Sequence, residues 1–262
     1  MGDLLMTAES RIPRAWYAIV RAHEASLRSY LDHFRAMKDP TLEAMPSEGP
    51  DFAKLSSTLF TGANYAEVQR EALRLMEIIT GAAKIKQDPG NLRLQSVVAV
   101  YADGETKKFR PVISGSWFSK RPVVFWQDEG KVHETFEKSV VLFALKCNNI
   151  YPQVNEVLRS LAQSDDWSGL YRIFEAIRLD LNKNDEKGKK DARRKIVELG
   201  WVSESELNSF DMTVDTYRHH RLKQNPRTMT LVEAQNLIGR IIEAWIREIA
   251  KRPAPPSSPE IP

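Results

Sequence analysis

A valine-rich run at Leu92–Ala102 leads into Asp103-Gly104, and an extended pattern resumes at Lys107–Phe118. Two such runs joined by Asp-Gly form a tight hairpin, because glycine and aspartate tolerate the positive φ angles that the turn needs. A lone hairpin is marginal in water, so the chain must supply further strands and a helix to cover one face. Val123-Val124-Phe125-Trp126, before the turn residues Asp128-Glu129-Gly130, reads as a third strand. Pro111 has no N–H to donate, which puts the second strand at an edge or a bulge. The rest of the chain reads as helical, and the class expected is α+β: N-terminal helices with a small antiparallel sheet, followed by a C-terminal helical bundle.

Ile12, Trp16, Ile19, Val20, His23, Leu27, Tyr30, Leu31 and Phe34 recur at three- and four-residue steps, which predicts one amphipathic helix over residues 12–38, stopped by Asp39-Pro40. Arg14, Arg21, Arg28 and Arg35 repeat every seven residues on the other side and read as its solvated face. Pro40–Pro50 reads as a loop. Asn64 with Glu67 opens a second helix whose apolar face is Val68, Ala72, Leu75, Met76 and Ile79, with Gly81 just past its end. From residue 133 the pattern is helical. Val154, Val157, Leu158 and Leu161 make one face, and Trp167, Leu170, Tyr171, Phe174, Ile177, Arg178 and Leu181 make a stronger one. Gly200 ends a short helix, and the pairs Ser203/Glu206 and Thr230/Glu233 are capping boxes. The final buried face is Leu231, Ala234, Leu237, Ile238, Ile241, Ile242, Trp245 and Ile249. The domains expected are 1–132 and 133–252, with a disordered tail at 253–262 that holds five prolines.

With 42% hydrophobic and 28% charged residues the chain has material for a real core. A formal net charge of +3 is too small to argue nucleic-acid binding by itself. No apolar run reaches the length of a membrane span, and the first ten residues lack a signal-peptide core, so the expectation is a cytoplasmic protein with no membrane association. The single cysteine, Cys147, lies in an apolar stretch and reads as a buried thiol.

Charge is most concentrated in Tyr217–Arg227, which holds four fixed cations, two of the five histidines and no acid. Arg218, His219, Arg221, Lys223 and Arg227 are therefore the candidate binding residues, suited to a phosphate backbone or an acidic partner. An arginine at a helix C-terminus has a structural use as well, against the helix dipole or paired with Glu175 or Asp166. Adjacent histidines diverge by about 100° on a helix, so His219 and His220 cannot face one metal together. The chain has no phosphate-loop, dinucleotide, zincin or serine-elbow motif, and no catalytic set, metal or cofactor is assigned.

Asp166-Trp167-x-x-Leu170-Tyr171-x-Ile173-x-Glu175-x-Ile177, Gly200-Trp201, Phe210, Arg218-His219 and Pro226-x-x-Met229-Thr230-Leu231-x-Glu233-Ala234, ending at Trp245, resemble the C-terminal half of a widespread family of functionally uncharacterised bacterial proteins. The resemblance spans roughly residues 64–247, more weakly over Ala66–Val98, and it implies that Arg218-His219 is a family landmark. The layout of a basic pair, a proline and a closing helix also resembles HEPN helical ribonucleases. Their arginine with a histidine four to six residues on is missing after Arg218 and Arg221, and Arg28–His33 matches it only as chance allows. The expected function is a non-enzymatic accessory or interaction protein in a regulatory or defence system, with a protein partner. The alternative is a metal-independent RNase or nucleic-acid-binding protein that uses Arg218–Arg227.

Overall fold

The structure, a computed structural model, describes residues 12–35, 37–61, 64–85, 92–111, 144–145, 147, 150–164, 166–183, 190–219 and 229–252. The fold is α+β, and the chain groups into two compact units, Met1–Met76 with Gly90–Asp128 and Glu77–Pro89 with Glu129–Pro262. The expected third strand, Val123–Trp126, and the Pro253–Pro262 tail lie outside the described residues.

The first unit contains β1 (Ala15–Arg21), α1 (Glu24–Phe34), β2 (Thr41–Ala44), β3 (Phe52–Ser56), the start of α2 (Tyr65–Ile85), β4 (Arg93–Val100) and β5 (Thr106–Phe109). Its five strands lie in the order β2-β3-β1-β4-β5, and every neighbouring pair is antiparallel. The path β1-α1-β2-β3-α2-β4 is the split β-α-β arrangement called ferredoxin-like, and the hairpin adds β5 at one edge. That hairpin turns where expected, with Gly104 at φ 84° and the Tyr101 N–H donating to the Glu105 carbonyl at 2.9 Å.

Residues 12–38, expected as one helix, do not form one. Residues 15–21 form the central strand of the sheet, and helix starts only at Glu24. Trp16, Ala18 and Val20 are buried on one face while Ile19 is buried on the other, so alternation is erased and the apolar positions fall at helical spacing by coincidence. The arginine repeat dissolves with it. Arg21 at the end of β1 pairs with Asp51, Arg28 on α1 pairs with Glu24, and Arg35 pairs with Asp32 at 3.2 Å. The loop expected at Pro40–Pro50 contains β2, and β3 follows it. Both strands are short and half polar, and only Leu42, Ala53 and Leu55 among their residues are buried.

On the covered face of the sheet Trp16 meets Phe109 at 6.0 Å between ring centroids, and Tyr65 stacks on Phe109 at 5.1 Å. The Tyr65 hydroxyl donates to the Arg110 carbonyl at 2.7 Å, which ties the first turn of α2 to the strand edge. Asn64 caps α2 as expected, its Oδ1 accepting from the Glu67 N–H at 3.1 Å. Gly81 does not end the helix, which runs on to Ile85.

The second unit is built from the later part of α2 with α3 (Pro152–Gln163), α4 (Trp167–Lys183), α5 (Lys190–Glu198), α6 (Glu204–His219) and α7 (Leu231–Ile249). Gly81 is where α2 crosses α3: a Cβ added there would sit 1.9 Å from the Leu158 carbonyl oxygen. The crossing is held by Glu77, which accepts from Arg159 Nε at 2.6 Å and Gln163 Nε2 at 2.9 Å, and by Lys84, which donates to the Ala162 carbonyl at 2.8 Å. Within α4 and α6, Phe174 meets Phe210 edge-on at 5.5 Å. The apolar faces expected for α3, α4 and α7 are buried, save that Leu231 and Tyr171 are half-exposed and Arg178 is a half-buried cation. Trp245 is fully buried, and its indole N–H donates to Asp180 Oδ2 at 2.9 Å. The same oxygen pairs with Arg252 at 2.9 Å.

Both capping boxes form. Thr230 Oγ1 accepts from the Glu233 N–H at 3.2 Å, and the Glu233 carboxylate accepts from the Thr230 N–H at 2.7 Å. In the other box Glu206 accepts from the Ser203 N–H at 2.8 Å and also pairs with Arg240 of α7. Hydrogen bonds from Ser203, then Arg240, hold the Glu206 carboxyl at about 2, against an ordinary value of 4.5. A depressed carboxyl contributes stability above its unfolded pKa and loses it as pH falls through the folded one. Glu206→Gln is therefore expected to lower the melting temperature at pH 7, and its gap from the parent should close between pH 4.5 and 2. Thermal melts across that window check it, and a pH-independent gap refutes it.

Candidate functional site

Arg218 and His219 are the last two residues of α6, where the helix dipole favours a cation. Arg221, Lys223 and Arg227 lie outside the described residues. Tyr217 stacks on Trp167 with ring centroids 5.1 Å apart and planes 11° apart. At the far side the Met229 N–H donates to Thr213 Oγ1 at 3.1 Å, and that buried hydroxyl donates in turn to the Ser209 carbonyl at 2.7 Å. The first flank of the segment is thus packed on α4 and the second tied to α6. Of the two acids expected as partners for Arg218, Asp166 accepts from the Gly169 N–H at 2.7 Å and Glu175 from Arg178 Nη1 at 2.5 Å.

Ionisable groups also meet where α5 and α6 pack. Arg193 Nη2 donates to Asn208 Oδ1 at 2.6 Å, and its Nε lies 3.2 Å from Asp211 Oδ2. Burial pushes the Asp211 carboxyl up, while Arg193 and Arg178 pull it down. The arrangement is a polar seam between helices. Among the described residues no group of three histidine, cysteine, aspartate or glutamate side chains could hold a metal ion. Cys147 is buried, and burial pushes its thiol up, away from the reactive thiolate.

A concave site exists in the first unit, on the sheet face opposite Trp16. The ladder between β1 and β4 slips there: Ile19 faces Ser96 and Val20 faces Leu94, so Gln95 is an extra, unpaired residue. A bulge of this kind bends a strand and re-aims its side chains. Beside it opens a cleft of about 580 Å³ with Ile19, Leu94 and Phe52 as apolar lining and Gln95 at the bulge. Its charged lining is Arg93, Lys108, Arg110 and one carboxylate, Glu48. Glu48 is engaged with Lys108, whose Nζ lies 3.2 and 3.3 Å from its two oxygens. Among the described residues no carboxylate pairs with Arg110. Phe52 is directly opposite Arg21 in the β1–β3 register, and the Arg21 guanidinium, held by Asp51, lies 5.4 Å from its ring centroid.

None of these cleft residues is a candidate binding residue in the sequence, where Ile19 reads only as part of an apolar helix face. They come from β1, the β2–β3 loop, β3, β4, β5 and the residue after it, up to 91 positions apart (residues 19 and 110). The nearest thing to a local signal was the cationic run Lys107-Lys108-Phe109-Arg110 after the Asp-Gly turn.

Comparison with protein-family models, with curated proteins and with solved structures finds no match to this chain. Among the described residues, no helix is long and apolar enough to cross a membrane.

Proposed function

We propose that this chain is a non-enzymatic interaction protein, of an accessory or regulatory kind and cytoplasmic, whose sheet unit binds an anionic ligand in the cleft beside Gln95. One observation supports this reading: among the described residues, three cations surround an apolar lining with a single carboxylate among them. Ligand sites generally combine an apolar wall with a few polar groups in a volume of about 300–1,000 Å³, and this cleft has that character. Glu48 keeps Lys108 in place and is displaced electrostatically when a stronger anion enters. The charge is local, so a net charge of only +3 is no obstacle.

The test is calorimetric titration of the full chain with inorganic pyrophosphate at two salt concentrations. Saturable binding that weakens with salt is expected, and Lys108→Gln combined with Arg110→Gln should weaken it by about tenfold or more, each charge-assisted bond being worth about 1.5–3 kcal/mol. Absence of binding by the parent, or equal affinity in the double variant, overturns the reading.

A further inference from the structure

We infer that the ligand of this cleft is a nucleotide, its phosphate against Lys108 and Arg110 and its base against the Phe52 ring, with the Gln95 amide at the base edge. The inference rests on the anion-binding reading and deepens it. A bare phosphate would use the cations and leave the half-exposed Phe52 ring without a ligand partner. A carboxylate side chain would do the same. A nucleotide presents a dianionic end and a flat aromatic end together, which is the combination that lines this cleft.

Three features separate this site from a generic cationic patch. Phe52 has one flank occupied by Arg21, which stiffens the ring as a platform. Base–aromatic stacking accepts any base, because every base has a π-face. Gln95 is removed from the β1–β4 ladder register, and its side-chain amide carries both a donor pair and an acceptor, the complement of a base edge. Lys108 has an internal anion, Glu48, at 3.2 Å, so a phosphate there exchanges with a carboxylate, and Arg110 adds charge to it. The nucleotide could be free or the terminal unit of a single strand, since both offer the same phosphate and base.

Calorimetry on the full chain with the four ribonucleoside 5′-monophosphates, adenosine, inorganic pyrophosphate and a short single-stranded oligonucleotide tests this. At least one monophosphate, or the oligonucleotide, should bind about tenfold more tightly than adenosine, and Lys108→Gln with Arg110→Gln should remove that gain. Phe52→Leu should weaken nucleotide binding about fivefold or more and leave pyrophosphate unchanged, with Gln95→Ala as a second variant if Phe52→Leu fails to fold. A free nucleotide matching the oligonucleotide identifies the free form as the ligand. An oligonucleotide that binds more tightly, with the same Phe52 and Lys108 dependence, identifies a strand end. If pyrophosphate binds but nucleotides bind no better and Phe52→Leu has no effect, the nucleotide inference fails while anion binding stands. If neither binds, both fail.

Discussion

Gly81→Ala is expected to destabilise the helical unit by about 3 kcal/mol, at the upper end of the cost of overpacking a close contact. Alanine is the better helix former by about 1 kcal/mol, so an exposed mid-helix glycine would gain from the change. Here the sign reverses, because the added methyl would lie 1.9 Å from the Leu158 carbonyl oxygen and 2.6 Å from its carbon. Those are backbone atoms in the middle of α3, and no rotamer change can move them. The helices must separate, which disturbs the Glu77–Arg159 pair and the Lys84 bond to Ala162 at the same crossing. At about 2–4 °C per kcal/mol for a chain of this size, the melting temperature should fall by about 6–12 °C. Differential scanning calorimetry measures it. Gly104→Ala is the comparison: nothing lies within 4 Å of a Cβ there, and its cost comes only from the positive φ of 84°, about 1–2 kcal/mol. If the two variants melt together, the close crossing at Gly81 is wrong.

Asp180→Ala should cost about 3–5 kcal/mol, the range for removing one partner of a buried charged pair. The carboxylate is only 10% exposed and serves two donors at once, the Trp245 indole and the Arg252 guanidinium. Removing it strands both, one on a fully buried tryptophan and the other on an arginine whose side chain is 25% exposed. The Arg252 carbonyl accepts from the Tyr151 hydroxyl at 2.9 Å, so the loss reaches the start of α3 through the last turn of the chain described. Asp180→Asn keeps an acceptor for Trp245 and forfeits only the charge, so it should cost less than half as much. Urea denaturation of the two variants gives the comparison. Equal losses would mean that the ion pair with Arg252 dominates and the indole bond contributes little.

How much of this was legible beforehand follows from the range of the interactions involved. Ser203/Glu206 and Thr230/Glu233 are bonds between residues three apart, so residue identity and spacing suffice to predict them. The Asp103-Gly104 turn is equally local. The apolar faces of α3, α4 and α7 are periodic over several turns, which is long enough to distinguish helix from strand. β1 defeats that same test because it is central: Trp16 to Val20 are apolar on both faces and carry no alternation, and the true helix that follows extends the false periodicity. β2 and β3 are too short and too polar to signal at all; β3 forms on the edge that β1 offers it, and β2 on the edge of β3. Gly81 reads as a helix end because glycine has two uses, a left-handed cap and a close approach, which look alike in sequence.

The basic segment at Tyr217–Arg227 drew attention because its charges are neighbours in the chain. The cleft beside Gln95 drew none, because its charges are neighbours only in space. Sequence alone determined what depends on residues within a turn or two of each other: the α+β class, the hairpin, most helices with their caps, and which faces must be buried. Tertiary structure decided the order β2-β3-β1-β4-β5, the bulge that frees Gln95, the crossing that admits only glycine at 81, and the meeting of Phe52, Lys108 and Arg110. The reason is physical. Strand pairing and helix crossing join groups far apart in the chain, and their energies depend on register and distance, which no local pattern encodes.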